Sequence, residues 1–275
     1  MHRPIVTLTT DFGTNDHFVG AVKGVILDIV PEAAIVDISH AVQAFDVLDG
    51  ALAISQTYSY FPTGTIHMVV VDPGVGTTRR PILASSDGYH FVAPDNGVLS
   101  MVYAREERIH VRHITSTHYF RQPVSNTFHG RDVFAPVAAY LAKMVDSHKF
   151  GEEIEDYVKF AAPRPKAAGE NRIRAVVLKV DRFGNLITNV MPEDVPALFA
   201  AKPPAFKIVV GNREITKIST SYAEGAAGEV FGILGSMGYL EIAANRAAAA
   251  HITGAGKGSE VSILLGEGVA AGKGA

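Results

Sequence analysis

The chain has 275 residues, 47% of them hydrophobic, with 25 Lys and Arg against 28 Asp and Glu, a formal net charge of −3. That length predicts about two domains with real cores, and the charge balance leaves no basic footprint for nucleic acid. Cysteine is absent, which excludes disulfides and thiolate metal sites and suits a reducing cytoplasm.

Met1-His-Arg-Pro4 leads straight into a strand pattern rather than a charged-then-apolar leader. No apolar run reaches the roughly 18 residues that span a membrane. Ile5-Val-Thr-Leu-Thr9 reads as the first strand and empties into Thr10-Asp-Phe-Gly-Thr-Asn-Asp16. Phe18, Val19, Val22, Val25, Ile26 and Ile29 then share one helical face, with Asp16 expected as N-cap and Pro31 just past the end. Ala34–Ile38 is a second strand, and Asp46 caps a helix carrying Val47, Leu48, Ala51 and Ile54. Ile66–Val71 is short, apolar and β-branched, the pattern of a buried parallel strand. It ends at Asp72-Pro-Gly-Val-Gly-Thr-Thr-Arg79, where Pro73, Gly74 and Gly76 turn the chain. Tyr89–Ala93 is another strand, followed by Asp95-Asn-Gly97 and a short helix near Val98–Tyr103. Asn126-Thr-Phe-His-Gly-Arg-Asp132 introduces a helix over Arg131–Met144. This alternation predicts an α/β N-terminal domain over residues 1–165, doubly wound around a mostly parallel sheet.

Residues 161–171 are rich in Pro, Gly, Ala and charge and read as a linker. Beyond them, short strand candidates lie at Ile173–Val180, Leu186–Asn189, Phe206–Val210, Arg213–Ile218, Glu229–Leu234, Tyr239–Ala243 and Val261–Leu265. They predict a smaller all-β C-terminal domain, a barrel or a sandwich, over residues 172–266. The Gly-rich residues 267–275 read as a flexible tail.

In open α/β sheets, ligands bind outside the carboxyl ends of the strands. Asp11 and Asp72 follow two strands and His129 precedes a helix, so three polar clusters are expected to converge on one cleft. Each residue also has a plainer role. Asp16 caps a helix, Asp72 ties down a turn, Arg79 and Arg80 form a solvated pair, and His129 is a satisfied loop histidine. Asp181 and Asn185 fit a β-turn, and Phe45 and Phe183 fit a core. Asp11-Phe-Gly13 looks like a kinase tripeptide out of context. Gly74-Val-Gly76 is too short for a dinucleotide fingerprint. No ligand spacing demands a metal on Asp11, Asp16 and Asp72.

Taken in order, the clusters resemble a family, the S-adenosylmethionine (SAM) hydroxide adenosyltransferases, relatives of the fluorinating and chlorinating enzymes. The resemblance is carried by Thr9–Asp16, Val36-Asp-Ile-Ser-His40, Val71–Gly76 with Arg79, Pro94–Gly97, Phe128–Asp132, Asp181–Asn189 and Gly235–Asn245. It implies an α/β domain joined to a β-barrel domain, a homotrimer, and SAM held between one subunit's N-terminal domain and its neighbour's C-terminal domain. It implies hydrolysis of SAM to adenosine and L-methionine with no metal or cofactor. By the same resemblance Asp72, Arg79 and His129 match a water-activating trio, and Asp11 matches the carboxylate on both ribose hydroxyls. Asp16, Asp181 and Ser236 match the methionine end, Asn185 and Asn245 the adenine-reading region, and Phe45 and Phe183 aromatic walls. The halogenating relatives carry an Arg immediately after the serine, where this chain has Met237.

The chemistry fits these residue types. A sulfonium already activates the 5′ carbon, and methionine leaves as a neutral thioether, so no general acid is needed. The protein must orient and deprotonate a water whose bulk pKa is about 15.7, which asks for a carboxylate, a cation and an imidazole within reach. One carboxylate can accept from two vicinal hydroxyls. Halide transfer to the same carbon is the nearest rival, and Asp72 disfavours it by repelling an anion. A SAM or adenosine sensor would need Asp11 and Asn185 without the trio, and a metal-dependent hydrolase would be sensitive to chelators.

Overall fold

The apolar, β-branched runs of the first 113 residues pair into a six-stranded sheet. Its strands are β1 (Ile5–Thr10), β2 (Ala34–Ser39), β3 (Thr65–Val70), β4 (Pro81–Ser86), β5 (Tyr89–Pro94) and β6 (Ile109–His113), in spatial order β2-β1-β3-β5-β4-β6. The computed structural model describes residues 3–266 and divides the chain into two units, Met1–Ala162 and Pro163–Ala275. The tail read at residues 267–275 lies outside the described residues.

In the first unit, β2, β1, β3 and β5 run parallel, whereas β4 is antiparallel to both β5 and β6. The side-chain alternation of β3 supplies two cores. Ile66, Met68 and Val70 pack with α1 (Phe18–Ile29) and α4 (Ala135–Ala142). Val69 and Val71 pack on the other face with α2 (Val47–Ser55) and the segment of α3 (Ser100–Tyr103). β3 is buried on both faces, so it is mostly apolar, and its two polar side chains, Thr65 and His67, are hydrogen-bonded where they are buried.

Asp16 does not cap α1: His17 occupies the N-cap position and no side chain caps the helix. Asp46 does cap α2, accepting from the backbone N–H of Asp49. The helix expected over Arg131–Met144 begins with a wider turn over Gly130–Phe134 and is α-helical only from Ala135. Pro136 has no N–H to give the carbonyl of Asp132, and that oxygen accepts from Arg121 N instead, at 2.9 Å. Strands β4 and β6 were not read at all. β4 starts at a proline and ends in two serines, and β6 interleaves its apolar residues with His and Arg.

The second unit holds β7 (Lys166–Ala167), β8 (Arg172–Val180), β9 (Leu186–Thr188), β10 (Phe206–Val210), β11 (Arg213–Ile215), β12 (Ile218–Ser219), β13 (Val230–Leu234), β14 (Leu240–Ala244) and β15 (Glu260–Leu265). They form one curled sheet in the order β11-β10-β15-β8-β9-β14-β13-β12, with β7 paired to β8. The stretch read as a linker therefore contains a short strand. The run expected as one strand over Arg213–Ile218 is divided, β11 at one end of the sheet and β12 at the other. A short helix, α5 (Ala249–Thr253), interrupts the strands.

His67 on β3 is fully buried. Its Nδ1 meets Thr7 Oγ1 at 2.7 Å, its Nε2 has no partner, and its ring stacks on Phe91 among Tyr58, Phe61 and Tyr89. Burial pushes its pKa down from 6.5 to about 3. The folded value lies below the unfolded one, so His67 supports the fold fully above pH 6.5 and progressively less as pH falls towards 3. A shift of that size corresponds to on the order of 3 kcal/mol of stability lost between pH 7 and pH 4. His67→Phe, which fits the aromatic surroundings and does not titrate, is expected to flatten the acid limb of a urea-unfolding series by about that amount. Parallel pH profiles for the two proteins would show that His67 is not the group responsible.

Candidate active site

β1 and β3 are adjacent and parallel, Thr10 lying opposite Val70, and β2 departs on the other side of β1. The space beyond the carboxyl ends of β1 and β3 is therefore the point at which strand order reverses, the place where open α/β sheets bind ligands. Asp11 is the first residue after β1, and Asp72 the second after β3.

The loop after β3 folds back on itself. Val75 N donates to Asp72 O at 3.3 Å and Thr77 N to Gly74 O at 3.1 Å, two successive turns that return Arg79 to Asp72. Arg79 Nε donates to Asp72 Oδ1 and Oδ2 at 3.0 and 2.9 Å, and Nη2 also donates to Oδ2. Both side chains are buried, and the guanidinium lies 5.0 Å above the Phe134 ring. Nη2 also meets His129 Nδ1 at 2.9 Å, while Nη1 is buried without a partner. Gly76, at φ +76°, lets this loop touch the segment leading to His129, since a Cβ there would stand 2.2 Å from Asn126 O. Asp132, fully buried, pins the same segment by accepting from Ser125 N at 2.9 Å and Arg131 Nε at 2.7 Å.

Arginine only donates, so His129 Nδ1 must carry a lone pair. The ring is then neutral, with its proton on Nε2. Burial first, then the Arg79 charge, hold the His129 pKa below its ordinary value, with Asp72 and Asp132 opposing.

Asp11 belongs to the same end of the sheet. Its Oδ2 accepts from Phe45 N at 2.9 Å. Phe45 has φ +65° and an exposed ring, a backbone conformation that bulky residues adopt only where the surroundings enforce it. Burial holds the Asp11 carboxyl above the usual carboxylate range, the nearby Asp72 charge adds to this, and the Phe45 N–H opposes it. Asp11, Phe45, Asp72, Arg79 and His129 are thus brought to one place, and Asp16 stands in the exposed part of the loop after Asp11.

In the second unit, Asp181 closes a β-turn. It accepts from Phe183 N at 2.9 Å, Asn185 N at 2.8 Å and Asn185 Nδ2 at 2.9 Å. Phe183 projects into solvent from this turn, whereas Asn185 is buried. Asn245 Nδ2 donates to Gly225 O at 2.6 Å, so each of the two amides gives a hydrogen bond within its own unit. Ser236 is exposed in the β13–β14 connection. Sequence reading passed over Glu241, which is buried on β14, accepts from Tyr222 Oη at 3.0 Å and shares the field of Asp181. Burial first, and that like charge, raise its pKa. An acid inside the apolar run Leu240–Ala244 was the available signal. Gly235 makes room for it, since a Cβ there would sit 1.9 Å from Glu241 Oε1. Among the described residues, no group of three or more His, Asp or Glu could hold a metal ion, and no helix is long and apolar enough to cross a membrane.

A carboxylate set beside a carboxylate–guanidinium–imidazole cluster at a sheet switch point has the make-up of small-molecule sites in the α/β class. The chain belongs to the SAM hydroxide adenosyltransferase family, whose N-terminal domain matches residues 6–151 and whose C-terminal domain matches residues 175–262. It is 35% identical to a protein of Salinispora tropica named (R)-S-adenosyl-L-methionine hydrolase, over 96% of this chain and 98% of that one. A protein of the same name from Methanocaldococcus jannaschii is 38% identical over 70% of this chain and 68% of its own. The crystal structure of an uncharacterized conserved protein from Thermotoga maritima superposes with a TM-score of 0.86 at 34% identity, covering 94% of this chain and 99% of that one.

Proposed function

We propose that this protein hydrolyses S-adenosyl-L-methionine, with water attacking the 5′ carbon to give adenosine, L-methionine and a proton. The observation that carries this reading is the Asp72–Arg79–His129 contact beside Asp11 at the switch point. Asp11 accepts from the ribose hydroxyls with the oxygen that Phe45 leaves free, which holds the 5′ carbon near the trio. The His129 proton sits on Nε2 and donates to the water oxygen. Nδ1 is occupied by Arg79, so the proton leaving water goes to Asp72. Arg79 lowers the basicity of Asp72 by sharing its oxygens, so proton transfer runs behind carbon–oxygen bond formation. A sulfonium leaving group tolerates that order, because orientation contributes more than base strength. No step asks for a metal or cofactor.

Asp16, Asp181 and Ser236 hold the methionine end, Asn185 and Asn245 offer amide oxygens to the adenine amino group, and Phe45 and Phe183 flank the ligand. The exposed rings of Phe45 and Phe183 support a site completed by a neighbouring copy in a trimer. The absence of cysteine suits a cytoplasmic enzyme. We read the first unit as doubly wound, its helices lying on both faces of the sheet, and the second as a closed barrel. In the latter, β11 and β12 at opposite ends of the sheet are joined by Thr216 and Lys217 alone, and Gly232 N reaches Lys217 O at 2.9 Å.

Purified protein incubated with SAM and no added metal is expected to release adenosine and methionine in equal amounts by chromatography. Substrate that stays intact while tightly bound would favour a sensor, and activity abolished by a chelator would favour a metal-dependent hydrolase.

A further inference from the structure

The Asp37-Ile-Ser-His40 motif makes no contact with the trio, yet it grips the turn that carries Asp11. His40 follows β2 and is nearly fully buried, as is Thr10 at the end of β1. The pairing of β1 with β2 slips between Leu8 and Thr9, so the residues beyond the slip are re-aimed. His40 then holds the turn at two points. Its Nδ1 meets Thr10 Oγ1 at 2.8 Å, and its carbonyl accepts from Gly13 N at 2.8 Å. Asp11 lies between those two anchors. Gly13, at φ +68°, closes the turn in a conformation that favours glycine.

The proton positions follow. Thr10 Oγ1 accepts from Phe12 N at 3.2 Å and keeps a second lone pair, so the assignment is set by the other ring nitrogen of His40, which faces the Asp37 carboxylate, an acceptor only. The ring proton is then on Nε2, 3.1 Å from Asp37 Oδ1 though poorly aligned with it, and Asp37 is held in turn by Lys23 Nζ at 2.6 Å. The series Thr10–His40–Asp37 has the composition of a nucleophile triad. Its hydroxyl is 1% exposed and already engaged on both sides, so no substrate atom reaches it.

We infer that His40, acting through Thr10, is a positioning residue for Asp11, setting the direction in which that carboxylate meets the ribose hydroxyls. The inference rests on the reading of Asp11 as the ribose carboxylate. The test compares SAM with 2′-deoxy-SAM for the wild type, His40→Ala, His40→Asn and Thr10→Val. His40→Ala is expected to lower kcat/KM for SAM by about 10- to 100-fold, mainly through KM, the size of one misdirected charge-assisted hydrogen bond. On 2′-deoxy-SAM the loss should be several-fold smaller, since one of the two hydroxyls that Asp11 receives is missing already. Thr10→Val should reproduce the pattern. His40→Asn should restore most of the SAM activity by placing an acceptor near the Nδ1 position. In an Asp11→Ala background, His40→Ala should add nothing. Equal losses on both substrates, or a further loss without Asp11, would overturn the inference and leave His40 a general fold residue. If wild-type protein failed to hydrolyse SAM, the proposed function would fall, but the ratio of adenosine to 2′-deoxyadenosine affinity in wild type and His40→Ala would still decide the positioning role.

Discussion

Asp72→Ala is expected to lower kcat for SAM hydrolysis by about 10²- to 10⁴-fold, the usual contribution of a positioned proton acceptor, with KM nearly unchanged. The asymmetry follows from what Asp72 touches. It is bound to Arg79 through both carboxylate oxygens, and Arg79 is bound to His129. Its removal leaves a buried guanidinium without its counter-charge, so the group that faces the nucleophile loses its geometry together with its base. Ribose recognition by Asp11 stays intact. Arg79→Ala and Asp72→Ala should therefore be strongly non-additive, the double variant being scarcely worse than either single one. Stopped-flow or endpoint kinetics over a range of SAM concentrations separate the two parameters. A loss carried by KM would mean that Asp72 binds substrate and that the roles of Asp11 and Asp72 are exchanged.

Mixing two inactive variants should recover activity. Asp72→Ala disables the first unit and Asp181→Ala the second. If each site joins the first unit of one copy to the second unit of its neighbour, random hybrid trimers place both intact halves together in about one quarter of sites. Subunit exchange under mild denaturant, followed by dilution into assay buffer, is expected to give about a quarter of wild-type turnover from proteins that are silent alone. Verified mixing with no recovery would put the whole site in one chain, as would an active monomer at assay concentration.

How much of this the sequence disclosed depends on the range of the physics involved. Asp11 and Asp72 were legible because an acid at the end of an apolar strand is unusual and strand ends are where α/β sheets bind ligands. Their adjacency required the strand order, which no local pattern encodes. Asp46 was readable as a cap, while the same reasoning failed for Asp16, whose loop continues through His17 before α1 begins. β4 was hidden by Pro81 and the two serines, because its pairing on both sides, rather than its composition, makes it a strand. The left-handed backbone of Phe45 and the buried acid at Glu241 are tertiary effects. The first is enforced by the Asp11 carboxylate accepting its N–H, and the second is accommodated by Gly235 and Tyr222.

In the proposed reaction water attacks carbon within a site built to orient it. The most direct measurement is a single incubation of SAM with the protein in water enriched in heavy oxygen, with chloride present, read by mass spectrometry. Adenosine carrying the label at its 5′ oxygen, unlabelled methionine and no 5′-chloro nucleoside are expected. Unlabelled adenosine or a substantial 5′-chloro product would contradict that reaction, since either would mean that Asp72, Arg79 and His129 do not direct a water at the 5′ carbon.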